Sequence, residues 1–384
     1  MKNKKDNGHY ITRKEEREIA KYNRRTTKEL EAKKHKSVDE STYLTEMKDR
    51  NNIIEFEDLH TYFFTDAGTV KAVNGVTFSI PANSTVGVVG ESGCGKSVTS
   101  LSLMQLVQAP QGQIVSGSIR YNNGEKCYDI AKMPVDAMRS IRGKEIAMIF
   151  QEPMTSLNPV FTVGYQLDEV TMLHEPSASK EQAKNRSIEM LKLVGIARPE
   201  GVYNNYPHEL SGGMRQRVMI AMALICDPKL IIADEPTTAL DVTIQAQILE
   251  LLRSVREKIN GSIMLITHDL GVVAEMADFV VVMYAGRIVE MGTAEEVFLH
   301  PKHPYTVGLM KSKPVVNKKT SRLYSIPGQV PNPINMPSYC YFKDRCERAH
   351  EACNGPYPSL QKFSETHQAS CYLYKESTNG KEGK

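Results

Sequence analysis

Apolar residues recur along this chain with two periods. Between about Ile53 and Leu299, short apolar runs of strand length alternate with stretches whose apolar positions fall three or four residues apart. Thr85–Val89, Leu230–Asp234 and Phe279–Met283 read as strands, as does Val70–Val73. Ser97–Met104 and Met214–Leu224 read as helices, and Lys180–Val194 carries Ile188, Leu191 and Val194 at helical spacing. Strand-like sequence dominates before Gly90, and helix-like sequence dominates between Gln151 and Ser211. This alternation predicts an α/β core with a β-rich subdomain and an inserted helical one.

The flanks differ from this middle. Residues 1–50 mix both charge signs with few large apolar groups, as in Arg13–Arg17 and Lys33–Lys36, and are expected to form a flexible or solitary helical extension. Its basic clusters could touch anionic lipid or simply be solvated. The expected division is an extension over 1–50, an α/β domain over 51–300 with its helical subdomain at about 152–228, and a C-terminal extension over 301–384 that bears four cysteines. No apolar run approaches the roughly 20 residues of a membrane helix, and the charged start lacks a signal-peptide core. The chain is therefore expected to be cytoplasmic, with any membrane it serves reached through a partner. Its 48 basic and 45 acidic residues leave a net charge of +3, which gives no argument for a nucleic-acid partner.

Gly90-Glu91-Ser92-Gly93-Cys94-Gly95-Lys96-Ser97 lies between a strand and a helix, in P-loop spacing. The glycines let backbone N–H groups turn toward phosphate, aided by the positive end of the helix that continues into Val98. Lys96 would meet the β- and γ-phosphates of ATP, and the Ser97 hydroxyl would ligate Mg²⁺. Asp234 ends a strand where a carboxylate can hold Mg²⁺, and the adjoining Glu235 could take the proton of an attacking water. Cys94, at a helix N-terminus beside Lys96, is expected to be a reactive thiolate.

Gln151 follows, and Leu210-Ser211-Gly212-Gly213-Met214-Arg215-Gln216 opens a helix where hydroxyl and N–H groups would face an anion; a Ser-Gly-Gly can equally be an ordinary cap. In this order the motifs resemble those of the ATP-binding subunits of ABC transporters. By that resemblance, Lys96 and Ser97 are Walker A residues, Gln151 the Q-loop glutamine and a Mg²⁺ neighbour, and Ser211 to Gln216 the signature. Asp234 and Glu235 become the Walker B aspartate and catalytic glutamate, Asp241 in Thr238-Ala239-Leu240-Asp241 the D-loop aspartate, and His268 the switch histidine. The signature has Met214 where glutamine is commoner. Counting back from Val70–Val73 suggests Phe63 as the aromatic that stacks on adenine, with Tyr62 and Phe64 as alternates. Two copies would then meet head to tail, the signature of one covering the ATP of the other.

Thr155-Ser156-Leu157-Asn158-Pro159, Tyr206-Pro207-His208-Glu209, His300–Thr306 and Ile326–Pro331 narrow the resemblance to the oligopeptide, dipeptide and nickel importer ATPases. This implies two transmembrane permease subunits, a second ATP-binding subunit taken as a paralogue, and an extracellular peptide-binding protein. Nickel import is the alternative, followed by a non-transport ABC ATPase acting in iron–sulfur assembly or on DNA or ribosomes. His303-Pro304-Tyr305 has no assigned chemical role at this stage.

Seven cysteines include Cys340, Cys346, Cys353 and Cys371, in a Pro-rich tail poor in apolar residues. Their gaps of five, six and seventeen residues exceed the short spacing usual for zinc. A 4Fe–4S cluster is expected, with Zn²⁺ as the alternative and His350 or His367 as a substitute ligand; some members of the resembled family carry such a cluster.

Overall fold

The structure, a computed structural model, describes residues 12–151, 156–238, 240–312, 324–334 and 336–374. Thr155 of the Thr-Ser-Leu-Asn-Pro segment and Ala239 of the D-loop segment lie outside these residues, as do both chain ends.

Two sheets form the scaffold. Strands β1 (Asn52–Thr65), β2 (Gly68–Pro81), β4 (Gly112–Asn122) and β5 (Cys127–Asp129) make an antiparallel sheet in the order β2-β1-β4-β5. The main sheet holds β3 (Thr85–Val89), β6 (Ile146–Ile149), β7 (Leu230–Asp234), β8 (Ser262–Thr267) and β9 (Phe279–Tyr284), extended by β10 (Arg287–Thr293), β11 (Gln361–Lys362) and β12 (Gln368–Ala369). Its order is β11-β12-β10-β9-β3-β8-β7-β6, with β3 parallel to both β8 and β9. Every residue of β3, β6, β7 and β8 is buried. That explains their unbroken apolar runs, because a parallel sheet is covered on both faces. The loops leaving β3, β7 and β8 emerge at one edge, the carboxyl-terminal crevice where open α/β sheets bind ligands.

Helix α1 spans Arg13–Lys34 and opens with a capping box between Thr12 and Glu15. It is a helix, as one of the two expectations had it, but it is not solitary. The Asn23 side-chain amide donates to the Thr65 carbonyl at 2.9 Å, and the Tyr22 ring lies 6.2 Å from that of Phe64. Helix α2 (Lys96–Leu103) follows the glycine loop. The inserted helices α3 (Val163–His174), α4 (Lys180–Leu193) and α5 (Gly212–Leu224) bury Leu167, Leu191 and Val218 in one cluster with Ile231 and Ile263 of the sheet. Helices α6 (Val242–Ile259) and α7 (Leu270–Met276) connect the next strands.

The cysteine-bearing tail is built into the body. Gln368 and Ala369 pair with Met291 and Glu290 of β10, and Ile334 bridges to Val70 of β2. Helix α8 (Pro304–Lys311) begins at His303, whose Nδ1 accepts the Tyr305 N–H at 3.1 Å. Proline at the first helical position needs no N–H partner, which suits the His-Pro-Tyr order to a helix start. Tyr305 then packs against Tyr284 and Phe342, with ring centres 4.7 and 5.4 Å away. Each such pair adds about 0.5–1.5 kcal/mol beyond area burial.

Candidate active site

The glycine loop leaves β3 with Gly90, Gly93 and Gly95 at φ values of 152°, 77° and 100°. Side chains are excluded at two of these: a Cβ on Gly90 would stand 2.2 Å from the Met283 carbonyl oxygen, and one on Gly95 2.3 Å from that of Ala72. Lys96 is buried, and its Nζ donates to the carbonyls of Gly90 at 2.8 Å and Glu91 at 3.1 Å. Ser92 and Gly93 are exposed at the loop crest, while Val98 packs partly against the core.

Cys94 departs from expectation. It is buried at 1% exposure, and that burial pushes its thiol above the ordinary cysteine value despite the opposing pull of Lys96. The loop points this side chain inward, so it is a core residue and not a reactive thiolate.

The Ser97 hydroxyl donates to Oδ1 of Asp234 at 3.0 Å. Burial raises the Asp234 carboxyl above its usual range, the Ser97 bond opposes this, and the neighbouring Glu235 charge adds to it. Hydroxyl and carboxylate form a hard oxygen pair suited to Mg²⁺.

Glu235 turns back into the crevice at φ 47° and donates its N–H to the Ile266 carbonyl at 2.8 Å. Its Oε2 accepts from the Gln151 amide at 3.0 Å and from the Thr238 hydroxyl at 2.9 Å, while Oε1 lies 3.3 Å from His268 Nδ1. Loops after β6, β7 and β8 thus aim three groups at one carboxylate. Thr238 carries no role in the linear motif and gains one only here, as a donor to Glu235. A hydroxyl three residues beyond the glutamate was the available signal.

The signature stands apart from this group. Ser211 caps α5 by accepting the Met214 N–H at 3.3 Å, and Ser211 and Gly212 are exposed. Among the described residues no hydrogen bond joins Ser211, Gly212 or Gly213 to the phosphate loop. Gln216, expected to contact nucleotide, is buried and donates to the Pro236 carbonyl at 2.6 Å. It ties the signature helix to the turn after Glu235. Asp241 is exposed and caps α6 through the N–H groups of Thr243 and Ile244.

Of the three aromatic candidates for adenine, Phe64 is buried beneath Tyr22. Phe63 is half-buried over Gly112, where an added Cβ would meet its ring at 2.8 Å. Tyr62 is half-buried, with its hydroxyl on Asn74 and Lys71 over its ring.

The tail cysteines lie within electrostatic reach of one another. Burial, with Cys353, Cys371 and Cys346 adding to it, pushes the Cys340 thiol up to about 11. No group of three His, Cys, Asp or Glu side chains among the described residues converges to hold one metal ion. The arrangement of the described residues therefore supports neither the expected 4Fe–4S cluster nor the zinc alternative. The substitute ligands are also otherwise placed: His367 is buried with Nε2 2.9 Å from Glu290, and His350 is exposed.

Comparison with known proteins identifies the family. The ABC transporter family matches residues 73–238, and the oligopeptide/dipeptide transporter C-terminal region matches residues 289–353. The oligopeptide transport ATP-binding protein AppD of Bacillus subtilis is 51% identical, over 85% of this chain and 98% of its own. The same organism's dipeptide transport ATP-binding protein DppD is 47% identical, over 84% of this chain and 94% of its own. Among solved structures, a dimeric ATP-binding cassette in a post-hydrolysis state bound to ADP and Pi matches with a TM-score of 0.56 at 26% identity, over 63% of this chain and 98% of that one.

Proposed function

Because the chain belongs to the ATP-binding subunits of the oligopeptide/dipeptide ABC transporters, we propose that its ATP hydrolysis energises peptide import. The observation that carries this is the Glu235 carboxylate held by Gln151, Thr238 and His268 beside the Ser97–Asp234 pair, with Ser211 and Gly212 of the signature exposed.

ATP entering the glycine loop draws the Lys96 ammonium from the Gly90 and Glu91 carbonyls onto the β- and γ-phosphates. Ser97 and Asp234, with Gln151 nearby, would hold Mg²⁺, which would supply neutralisation of phosphate charge. Glu235 accepts the proton of the attacking water, and His268 orients it. Ser211, Gly212 and Gly213 of a second ATP-binding subunit, taken as a paralogue, close over the γ-phosphate; Asp241 lies at the same joint. Closure contributes because it adds contacts missing from the open state.

Gln151 leads into the inserted helices, where Val160, Phe161, Tyr165 and Leu173 are exposed apolar residues. This is the surface offered to two transmembrane permease subunits, on the cytoplasmic face of the membrane. No helix among the described residues is long and apolar enough to cross a membrane. Residues 51–300 form the working cassette, 301–384 its tail and 1–50 the leading extension, with Phe63 stacking on adenine. An extracellular binding protein delivers the peptide. Cys340, Cys346, Cys353 and Cys371 would be the ligands of a 4Fe–4S cluster, which would serve to hold the fold; four cysteines in a tail poor in apolar residues are what support this reading.

Reconstitution with the permeases and the peptide-loaded binding protein should stimulate ATP hydrolysis. Stimulation by nickel and not by peptide would move the cargo to the alternative, and hydrolysis indifferent to both would defeat the transport reading.

A further inference from the structure

Glu91, the second residue of the phosphate loop, is gripped from the tail. Arg345 Nη1 donates to its Oε2 at 2.6 Å and Nη2 to its Oε1 at 3.0 Å, a bidentate pair across 254 positions. Arg345 is itself fixed: its Nε donates to the Pro327 carbonyl at 2.9 Å, its guanidinium lies over the Tyr284 ring, and the side chain is only 6% exposed. The Glu91 N–H donates to the buried Tyr305 hydroxyl at 2.8 Å, and its carbonyl accepts from Lys96. Every polar group of this one loop residue therefore has a partner, two of them supplied from beyond residue 300.

A carboxylate in a phosphate loop is an electrostatic liability. It shares the loop with Lys96, and a ligand bound there would carry three or four negative charges, which a like charge within a Debye length of about 8 Å disfavours. A planar guanidinium answers this better than an ammonium, because the fork neutralises the charge and fixes its direction together. We propose that Arg345 is a positioning residue for nucleotide: by neutralising and orienting Glu91 it sets the affinity of the phosphate loop for ATP, and the tail containing Cys346 thereby becomes part of the ATP site. This rests on the reading of the loop as an ATP site. The same contacts give His303-Pro304-Tyr305 a role, since the helix cap at His303 aims the Tyr305 hydroxyl at the loop backbone.

The test is equilibrium binding of ATP and ADP to the full-length chain, with a thermal melt on each variant. Arg345→Met leaves Glu91 charged and unpaired, so ATP affinity should fall about tenfold and ADP affinity less, because ADP carries one phosphate fewer. Glu91→Gln keeps a hydrogen-bond acceptor for Arg345 but removes the negative charge, so ATP affinity should rise about threefold, again more than ADP affinity. Adding Glu91→Gln to Arg345→Met should bring ATP affinity back to within about threefold of wild type, as coupled neighbours do in a double-mutant cycle.

Wild-type ATP affinity in folded Arg345→Met, or a double variant as weak as Arg345→Met, overturns the proposal. Glu91→Gln alters only the partly exposed partner, so it decides the case if Arg345→Met does not fold: unchanged or weakened ATP binding overturns the proposal there. A wild-type chain that binds no ATP would instead defeat the ATPase reading itself.

Discussion

Ser97 and Asp234 stand 137 positions apart, yet the hydroxyl of one donates to the carboxylate of the other at 3.0 Å. The pair concentrates an ionisable group in a buried place, where its charged form is disfavoured. Asp234→Asn should therefore raise the stability of the nucleotide-free chain by on the order of 1 kcal/mol, as relief of active-site strain commonly does. Mg²⁺-dependent hydrolysis should be lost in the same variant. Paired melting curves and phosphate-release assays check both halves.

Glu235 meets Gln151, Thr238 and His268 at once. Glu235→Gln keeps the hydrogen-bonding shape but cannot take a proton, so ATP binding should persist while turnover falls by on the order of 10²- to 10⁴-fold. Near-normal phosphate release from the assembled complex would remove Glu235 from the catalytic role.

The burial of Cys94 leads to the opposite of what its loop position alone suggests. At neutral pH, minutes of exposure to a maleimide should leave Cys94 unmodified by peptide mapping, and denaturation should open it to labelling. Rapid labelling of the native chain, blocked by MgATP, would restore the thiolate view.

His303 is buried, and that burial lowers its imidazole to about 3 from an ordinary 6.5. Between those values the unfolded chain binds a proton that the folded chain refuses, so stability falls as pH drops through this window. The slope from this one group approaches about 1.4 kcal/mol per pH unit. His303→Asn can keep the helix cap and should flatten the slope between pH 6 and pH 4. Glu290 accepts the His303 and Lys302 N–H groups and lies against His367, and these contacts remain in the variant. Denaturant titrations across that range measure the difference.

If the tail carries the proposed 4Fe–4S cluster, protein purified without oxygen should be brown and hold about four irons per chain. Cys346→Ser should lose the iron and, because Arg345 precedes it in the chain and grips Glu91, should also weaken ATP binding. Full iron loss with wild-type ATP affinity would separate the tail from the loop.

Local sequence encodes the elements and the residue types that carry the chemistry. The strand, glycine loop and helix around Lys96 are set by local spacing, and so is the exposed cap at Ser211, because backbone conformation at these places depends on residues within a few positions. Residue types at Gln151, Asp234, Glu235 and His268 were legible for the same reason: each ends or follows a strand whose apolar run is continuous. Only the tertiary structure decided which way side chains turn and which distant partners they meet. Cys94 and Gln216 look available in a linear motif but are buried by strands and turns that arrive from elsewhere. Arg345 and Tyr305 look like parts of a separate tail but close on Glu91. Contacts across more than two hundred residues leave no period in the chain, since they arise when packed sheets and helices bring surfaces together, and that is why the tail's hold on the phosphate loop emerges from the fold alone.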